Sequence, residues 1–397
     1  MGVLTDELYW DPFDTEIDTN PYAIWKRMRD EAPVYRNETY DFWALSRFDD
    51  VEAASKDPET FSSSHGTVLE IMGPEPMHTG MIIFMDPPEH TKMRALFSRA
   101  FTPRRVNAQE DRIRAFCRDL LDRVGPEFDF VQDYAAPLPS MVISSLFGVS
   151  PADQHRVREM IDTTFHIEPG VGMINDTALT AQIELHGYIT EQLAERRRSP
   201  RDDMFTDMVQ AEMADADGGT RRLSDDEAAN FALLLIAAGT ETVARLLGWA
   251  AILLDQHPDQ RAALVADRAL IPNAIEELLR YEAPSPVQGR WLTRDVERHG
   301  TTIPADSKVL LITGSAGRDE RQYPDADRFD VRRNFDRHVS FGYGIHFCIG
   351  AALGRMEGRI ALDEMFDRFP AWTVDHERAV RLHTSTVRGW INVPVHA

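Results

Sequence analysis

The 397 residues are enough for two or three ordinary domains of roughly 100–200 residues each, and 43% hydrophobic with 27% charged residues is the composition of a folded chain with a sizeable core, not of a disordered one. A formal net charge of −22 excludes the broadly basic surface that binds nucleic acid. With only Cys117 and Cys348 the chain cannot form the disulfide framework of a small secreted domain.

In chain order, Met1 to Phe13 carries Asp6, Glu7 and Asp11 where a secretion signal needs a basic start and an apolar run, so a cytoplasmic, soluble protein is expected. Tyr40–Leu45 reads as a strand. Helical periodicity then dominates from about Pro87 to Leu279. After the proline pair Pro87-Pro88 a helix starts, with His90 and Arg94 four apart on one face. Such a pair can clamp an anion or serve a structural or surface role. Cys117, in the amphipathic run Arg112–Val124, reads as a core cysteine.

Ser224-Asp225-Asp226-Glu227 has the form of a capping box, and the apolar pattern behind it runs to His257, just before Pro258. A helix of about 33 residues, roughly 50 Å long, is predicted. Apolar residues lie on nearly all its sides, so it should run through the centre of the molecule. Glu241 and Arg245 break the stretch Phe231–Leu254 short of the roughly 20 apolar residues of a membrane span, and no membrane anchor is expected. Ala238-Gly239-Thr240-Glu241-Thr242 lies midway, where Gly costs about 1 kcal/mol relative to Ala and a buried Glu needs a partner. One account has Thr242 bond the Ala238 carbonyl and Glu241 reach a basic side chain; the other gives both residues a chemical role.

Glu277-Leu278-Leu279-Arg280 puts opposite charges at i and i+3, by itself a surface pair of little energetic value. Lys308–Thr313 and Trp390–Val395 read as strands, leaving a mainly helical chain with minor β structure at both ends and excluding an alternating βαβ fold. Between them stands Phe341-Gly342-Tyr343-Gly344-Ile345-His346-Phe347-Cys348-Ile349-Gly350, followed by a helical run from Ala351 to Phe369. Glycines let the backbone approach a ligand closely, and a Cys just before a helix has its thiolate favoured by the positive helix end.

Phe-x-x-Gly-x-His-x-Cys-x-Gly over Phe341–Gly350, with the mid-helix Gly239-Thr240-Glu241-Thr242 and the Glu-x-x-Arg pair, resembles the cytochrome P450 family over nearly the whole chain. The resemblance implies a mainly α fold with small β-sheets, a triangular helical prism around haem, formed by one domain spanning residues 1–397. It implies a haem-thiolate monooxygenase. Cys348 is then the axial ligand to the iron of haem b (iron protoporphyrin IX), beside Phe341, with His90, Arg94, Arg290 and His346 as four cationic candidates for the propionates. Gly239 opens a groove for dioxygen, the co-substrate, while Glu241 and Thr242 support water-mediated proton delivery. Val243 stands where relatives often carry Ser or Thr, so one auxiliary hydroxyl is absent. Glu277, Arg280 and Arg333 form a structural lock without a chemical step.

The resemblance further implies one atom of dioxygen inserted into a lipophilic small-molecule substrate, typically by C–H hydroxylation. Its pocket would be built from Gly66–Met85, Phe165–Thr177, Leu234–Thr242, Ser285–Gln288 and His383–Thr386. Because the chain ends soon after the haem helix, electrons are expected from NAD(P)H through a ferredoxin reductase and a ferredoxin. The ferredoxin would dock on a basic set drawn from Lys92, Arg99, Arg104, Arg105, Arg355 and Arg359, and the enzyme would act as a monomer. A haem carrier or sensor would have no use for Glu241 and Thr242, and a hydrolase using Cys348 and His346 would leave the propionate set unexplained.

Overall fold

The structure, a computed structural model, describes residues 8–98, 101–164, 168, 172, 174–214 and 219–397. The first seven residues, Arg99 and much of the expected pocket segment Phe165–Thr177 lie outside it. The described chain divides into two compact units.

The first unit comprises residues 1–77, 272–348 and 381–389. Its centre is a five-stranded sheet in the order Val34–Asn37, Phe42–Leu45, Lys308–Leu311, Gln288–Leu292, Phe61–Ser62. Only Phe42–Leu45 and Lys308–Leu311 pair in parallel, with Leu310 opposite Ala44. Both faces are covered, as the two-residue period of a strand allows. Val34, Leu45, Val309 and Leu311 enter one apolar cluster with Phe48, Val51 and Tyr323. The alternate residues Tyr35, Ala44, Leu310 and Ile312 enter another with Trp10, Trp25 and Met28.

The second unit comprises residues 78–271, 349–380 and 390–397 and is mostly helical. Its longest helix is Asp225–Gln256, started by the complete Ser224–Glu227 capping box and ended at His257. At 1.5 Å per residue its 32 residues span about 48 Å. By length and apolarity this helix could cross a membrane, so the reading that Glu241 and Arg245 disqualify it needs correction. Its most apolar stretch is 72% buried within the protein, which is the behaviour of a core helix. Trp249 meets Trp390 edge to face at 5.6 Å, and Trp372 Nε1 donates to the Ala251 carbonyl at 3.0 Å. Cys117 is fully buried, and burial pushes its thiol up to about 12.

Strands are more widely spread than the sequence suggests. Gln288–Leu292 is an inner strand, and Glu212–Ala214 pairs with Thr220–Arg222 inside the region read as helical. Val296–Arg298 and Thr301–Ile303 form a hairpin whose turn residues, His299 and Gly300, both have positive φ, the geometry that matches strand twist. Tyr40–Leu45 contracts to Phe42–Leu45 because Asp41 turns the chain at φ 53. Thr313 opens a short helix instead of extending its strand, and Trp390–Val395 divides between Arg388–Asn392 and Pro394–His396.

Candidate active site

In the first unit, the helix Ile271–Tyr281 carries Glu277 and Arg280, both with no exposed surface. Arg280 donates to Glu277 through Nε at 2.6 Å and Nη2 at 2.8 Å. Arg333 adds a third contact, Nε to Glu277 Oε1 at 3.2 Å, and the Asp330 amide donates to the same oxygen at 2.9 Å. The two guanidiniums spend their remaining donors on loop carbonyls: Gly317 and Ala326 for Arg280, Pro324, Asp325 and Arg328 for Arg333. A Cβ on Gly317 would run into the Arg280 carbonyl, so a glycine is needed there. This is a buried knot and not a surface pair. Its weight lies in holding residues 317–333 to the helix, because removing one partner would strand a charge away from water.

The Cys348 segment begins where that loop ends. Gly342 and Gly344 take positive φ of 70° and 67°, a conformation that side chains resist, and a Cβ on Gly344 would strike the Ser55 carbonyl. The turn they build returns the Cys348 amide to the Phe341 carbonyl at 2.8 Å. Phe341 packs between His338 and Phe347, at ring separations of 5.7 and 6.2 Å. Cys348 is exposed, unlike the buried Cys117, and His346 is half-buried two residues before it. Arg290 is buried on Gln288–Leu292, where Gly289 lets the strand press on Thr67 and Met72.

In the second unit, His90 lies in the first turn of Glu89–Phe97 and is 2% exposed, with Arg94 half-buried one turn on. Burial and the adjacent Arg94 pull the His90 imidazole down to about 4. In this structure both effects favour its neutral form.

Midway along the long helix the burial pattern breaks. Ala238 is exposed and Leu234 and Thr242 are half-buried, although residues on the other sides are covered. These three are four apart and form one stripe, with half-buried Gly239 beside it. Gly239 packs so closely that a Cβ would meet Ile143 at 3.1 Å. The Thr242 hydroxyl makes only a long contact, 3.4 Å, to the Ala238 carbonyl. Glu241 is turned into an ion pair: Arg245 donates to Oε2 at 2.9 and 2.7 Å and to the Trp390 carbonyl at 2.5 Å. The basic partner weighed for Glu241 is thus real, and it stands one helical turn away.

On the same unit, Glu357 of Ala351–Arg368 is buried, and its Oε2 has no hydrogen-bond partner among the described residues. Burial pushes its carboxyl up to about 8. Within the basic set, Arg105 is already paired with Asp207 and Arg359 with Glu110. Lys92 and Arg104 are exposed.

A mainly helical chain with an exposed cysteine on a glycine-built turn, a Glu-Arg-Arg knot and an uncovered mid-helix stripe defines a haem-thiolate protein of the cytochrome P450 fold. The model of the cytochrome P450 family matches residues 32–389. The erythromycin C-12 hydroxylase of Saccharopolyspora erythraea is 39% identical over 93% of this chain and 92% of its own. The vitamin D(3) 25-hydroxylase of Pseudonocardia autotrophica is 36% identical over 95% and 93%. Among solved structures, the open cytochrome P450 Eryk from S. erythraea superposes with a TM-score of 0.88 at 36% identity, covering 99% of this chain and 98% of that one.

The chain belongs to the cytochrome P450 family and is a haem-thiolate monooxygenase. The family uses haem and dioxygen, and the residues present fit that cofactor. Cys348 offers one accessible thiol, which suits an iron already held by a macrocycle. No group of three metal-ligating side chains gathers among the described residues to hold a bare ion. Sequence reading missed His338, Arg245 as the partner of Glu241, and Glu357; of these only Arg245, at i+4, carries a local signal.

Proposed function

We propose that this chain, as a single catalytic domain, hydroxylates a lipophilic small molecule, with Cys348 as the residue that would hold the iron of haem b. Haem, when bound, supplies reductive activation of dioxygen. Arg290, Arg94, His346 and His90 would hold its carboxylates through hydrogen bonds, the two arginines with full charge. Phe341 shields the thiolate side, and Glu277, Arg280 and Arg333 keep the Cys348 segment's approach fixed. Gly239 lets Ile143 close on the helix beside the stripe. Thr242 holds an ordered water through its weakly engaged hydroxyl and hands protons inward. Glu241 supplies protons only when Arg245 releases it.

The single observation that carries this reading is the exposed Cys348 thiol on a turn that two positive-φ glycines build. A lipophilic substrate is supported by the apolar, incompletely covered Leu234 and Ala238 and by Met81, Ile82 and Met85. The relatives named for erythromycin and vitamin D(3) favour small molecules as the class. Electrons come from NAD(P)H through a reductase and a ferredoxin. The protein works as a cytoplasmic monomer.

The test is the absorption spectrum of the reduced, carbon-monoxide-bound protein. The wild type gives the strongly red-shifted thiolate band, and Cys348→Ser lacks it, because an alcohol does not ionise near neutral pH. A thiolate band persisting in that variant removes Cys348 from the iron.

A further inference from the structure

We infer that His338 is a positioning residue for the iron thiolate, acting through the Ser340 amide, an inference that rests on Cys348 ligation. His338 is buried, with only 6% of its surface exposed. Its Nδ1 lies 3.2 Å from the Ser340 backbone nitrogen and its Nε2 lies 3.0 Å from Glu276 Oε2. A backbone amide can only donate, so Nδ1 must present its lone pair. The proton then sits on Nε2 and is donated to the Glu276 carboxylate. The imidazole thus bridges the helix Ile271–Tyr281 to the backbone at the entrance of the cysteine segment.

Two further contacts carry that fixed point to the thiol. The Ser340 hydroxyl donates to the Leu279 carbonyl at 2.6 Å, a second tie to the same helix. Phe341, the next residue, packs on the His338 ring and accepts the Cys348 amide at 2.8 Å. The path from helix to thiol therefore runs Glu276, His338, Ser340, Phe341, Cys348. Neighbouring residues of one helix divide the work: Glu277 secures the loop 317–333, and Glu276, through His338, sets where the cysteine turn begins.

Two near-isosteric variants separate the imidazole's two contacts. Asn at 338 keeps an acceptor at the δ position for the Ser340 amide and cannot reach Glu276. Gln reaches Glu276 and offers nothing at the δ position. The readout is the rate at which the thiolate band of the reduced carbon-monoxide complex converts to the non-thiolate form, together with the haem midpoint potential and thermal unfolding.

His338→Gln should convert at least about tenfold faster than wild type and shift the potential, since a buried hydrogen bond to the segment is lost. His338→Asn should stay within about twofold. A role in packing alone predicts equal behaviour of the two variants, so equal rates overturn the inference, as does a His338→Gln rate matching wild type. Should the wild type itself show no thiolate band, Cys348 ligation fails first and is recognised separately.

Discussion

Glu277→Ala tests the buried knot most directly. The Glu277 carboxylate accepts hydrogen bonds from Arg280 at 2.6 and 2.8 Å, from Arg333 at 3.2 Å and from the Asp330 amide at 2.9 Å. Its removal leaves the fully buried Arg280 guanidinium and one amide without their acceptor, and takes one contact from the partly exposed Arg333. Breaking one side of a buried ion pair costs roughly 3–5 kcal/mol, and a stranded amide costs about 1–3 kcal/mol. The terms share partners and overlap rather than add, so the loss should be about 4 kcal/mol. That raises the opening constant roughly 1,000-fold, at about 1.36 kcal/mol per tenfold. Amide hydrogen exchange over residues 317–333 reads this opening locally, and urea unfolding followed by tryptophan fluorescence reads it globally. Glu277→Gln, which retains acceptors for Asp330 and one arginine, should lose less. A Glu277→Ala protein within about 0.5 kcal/mol of wild type, with unchanged exchange, would return the pair to the class of inconsequential ion pairs.

Thr242→Ala should bind substrate and accept electrons normally but divert reducing equivalents into hydrogen peroxide, product per electron falling by about tenfold or more; full coupling removes the hydroxyl from the mechanism. Glu357 gives a pH signature: its folded value of about 8 lies above the ordinary 4.5, so its burial costs nothing below about 4.5, and the cost grows until it is complete above about 8. Glu357→Gln should stay within about 1 kcal/mol of wild type in urea stability at pH 5 and exceed it by several kcal/mol at pH 9, because each tenfold weakening of the acid on folding is worth roughly 1.4 kcal/mol; a gap that does not vary with pH contradicts the buried acid. Reversing Lys92 and Arg104 together should slow reduction by a ferredoxin and flatten its dependence on salt, because charges within roughly 8–10 Å dominate docking. Stopped-flow rates equal to wild type would put the docking surface elsewhere.

The long helix was legible almost to the residue because its signals are local: Ser224 and Glu227 cap one end and Pro258 follows the other. Gln288–Leu292 was not, since Gly289 and Arg290 spoil its alternation. Its strand character comes from Lys308–Leu311 and Phe61–Ser62 on either side, partners distant in sequence. The Glu277–Arg280 spacing was visible, yet burial separates a knot from a surface pair, and burial depends on carbonyls some forty residues further on. His338 offers no local cue, because its meaning lies in which atom of a distant helix it meets. The same limit applies to Glu241: its Arg245 partner was in plain view, but the Trp390 carbonyl that fixes Arg245 was not.

The uncovered stripe Leu234–Ala238–Thr242 also works as a ruler. Four residues of helix advance about 6 Å, so under the proposed function the three positions would sample a bound molecule at intervals spanning about 12 Å. Enlarging Leu234 would crowd the end of a ligand farthest from Thr242, whereas enlarging Ala238 would crowd its middle, and neither change touches the hydroxyl. Size at two adjacent graduations would then offer a way to choose which part of the proposed substrate lies nearest Thr242.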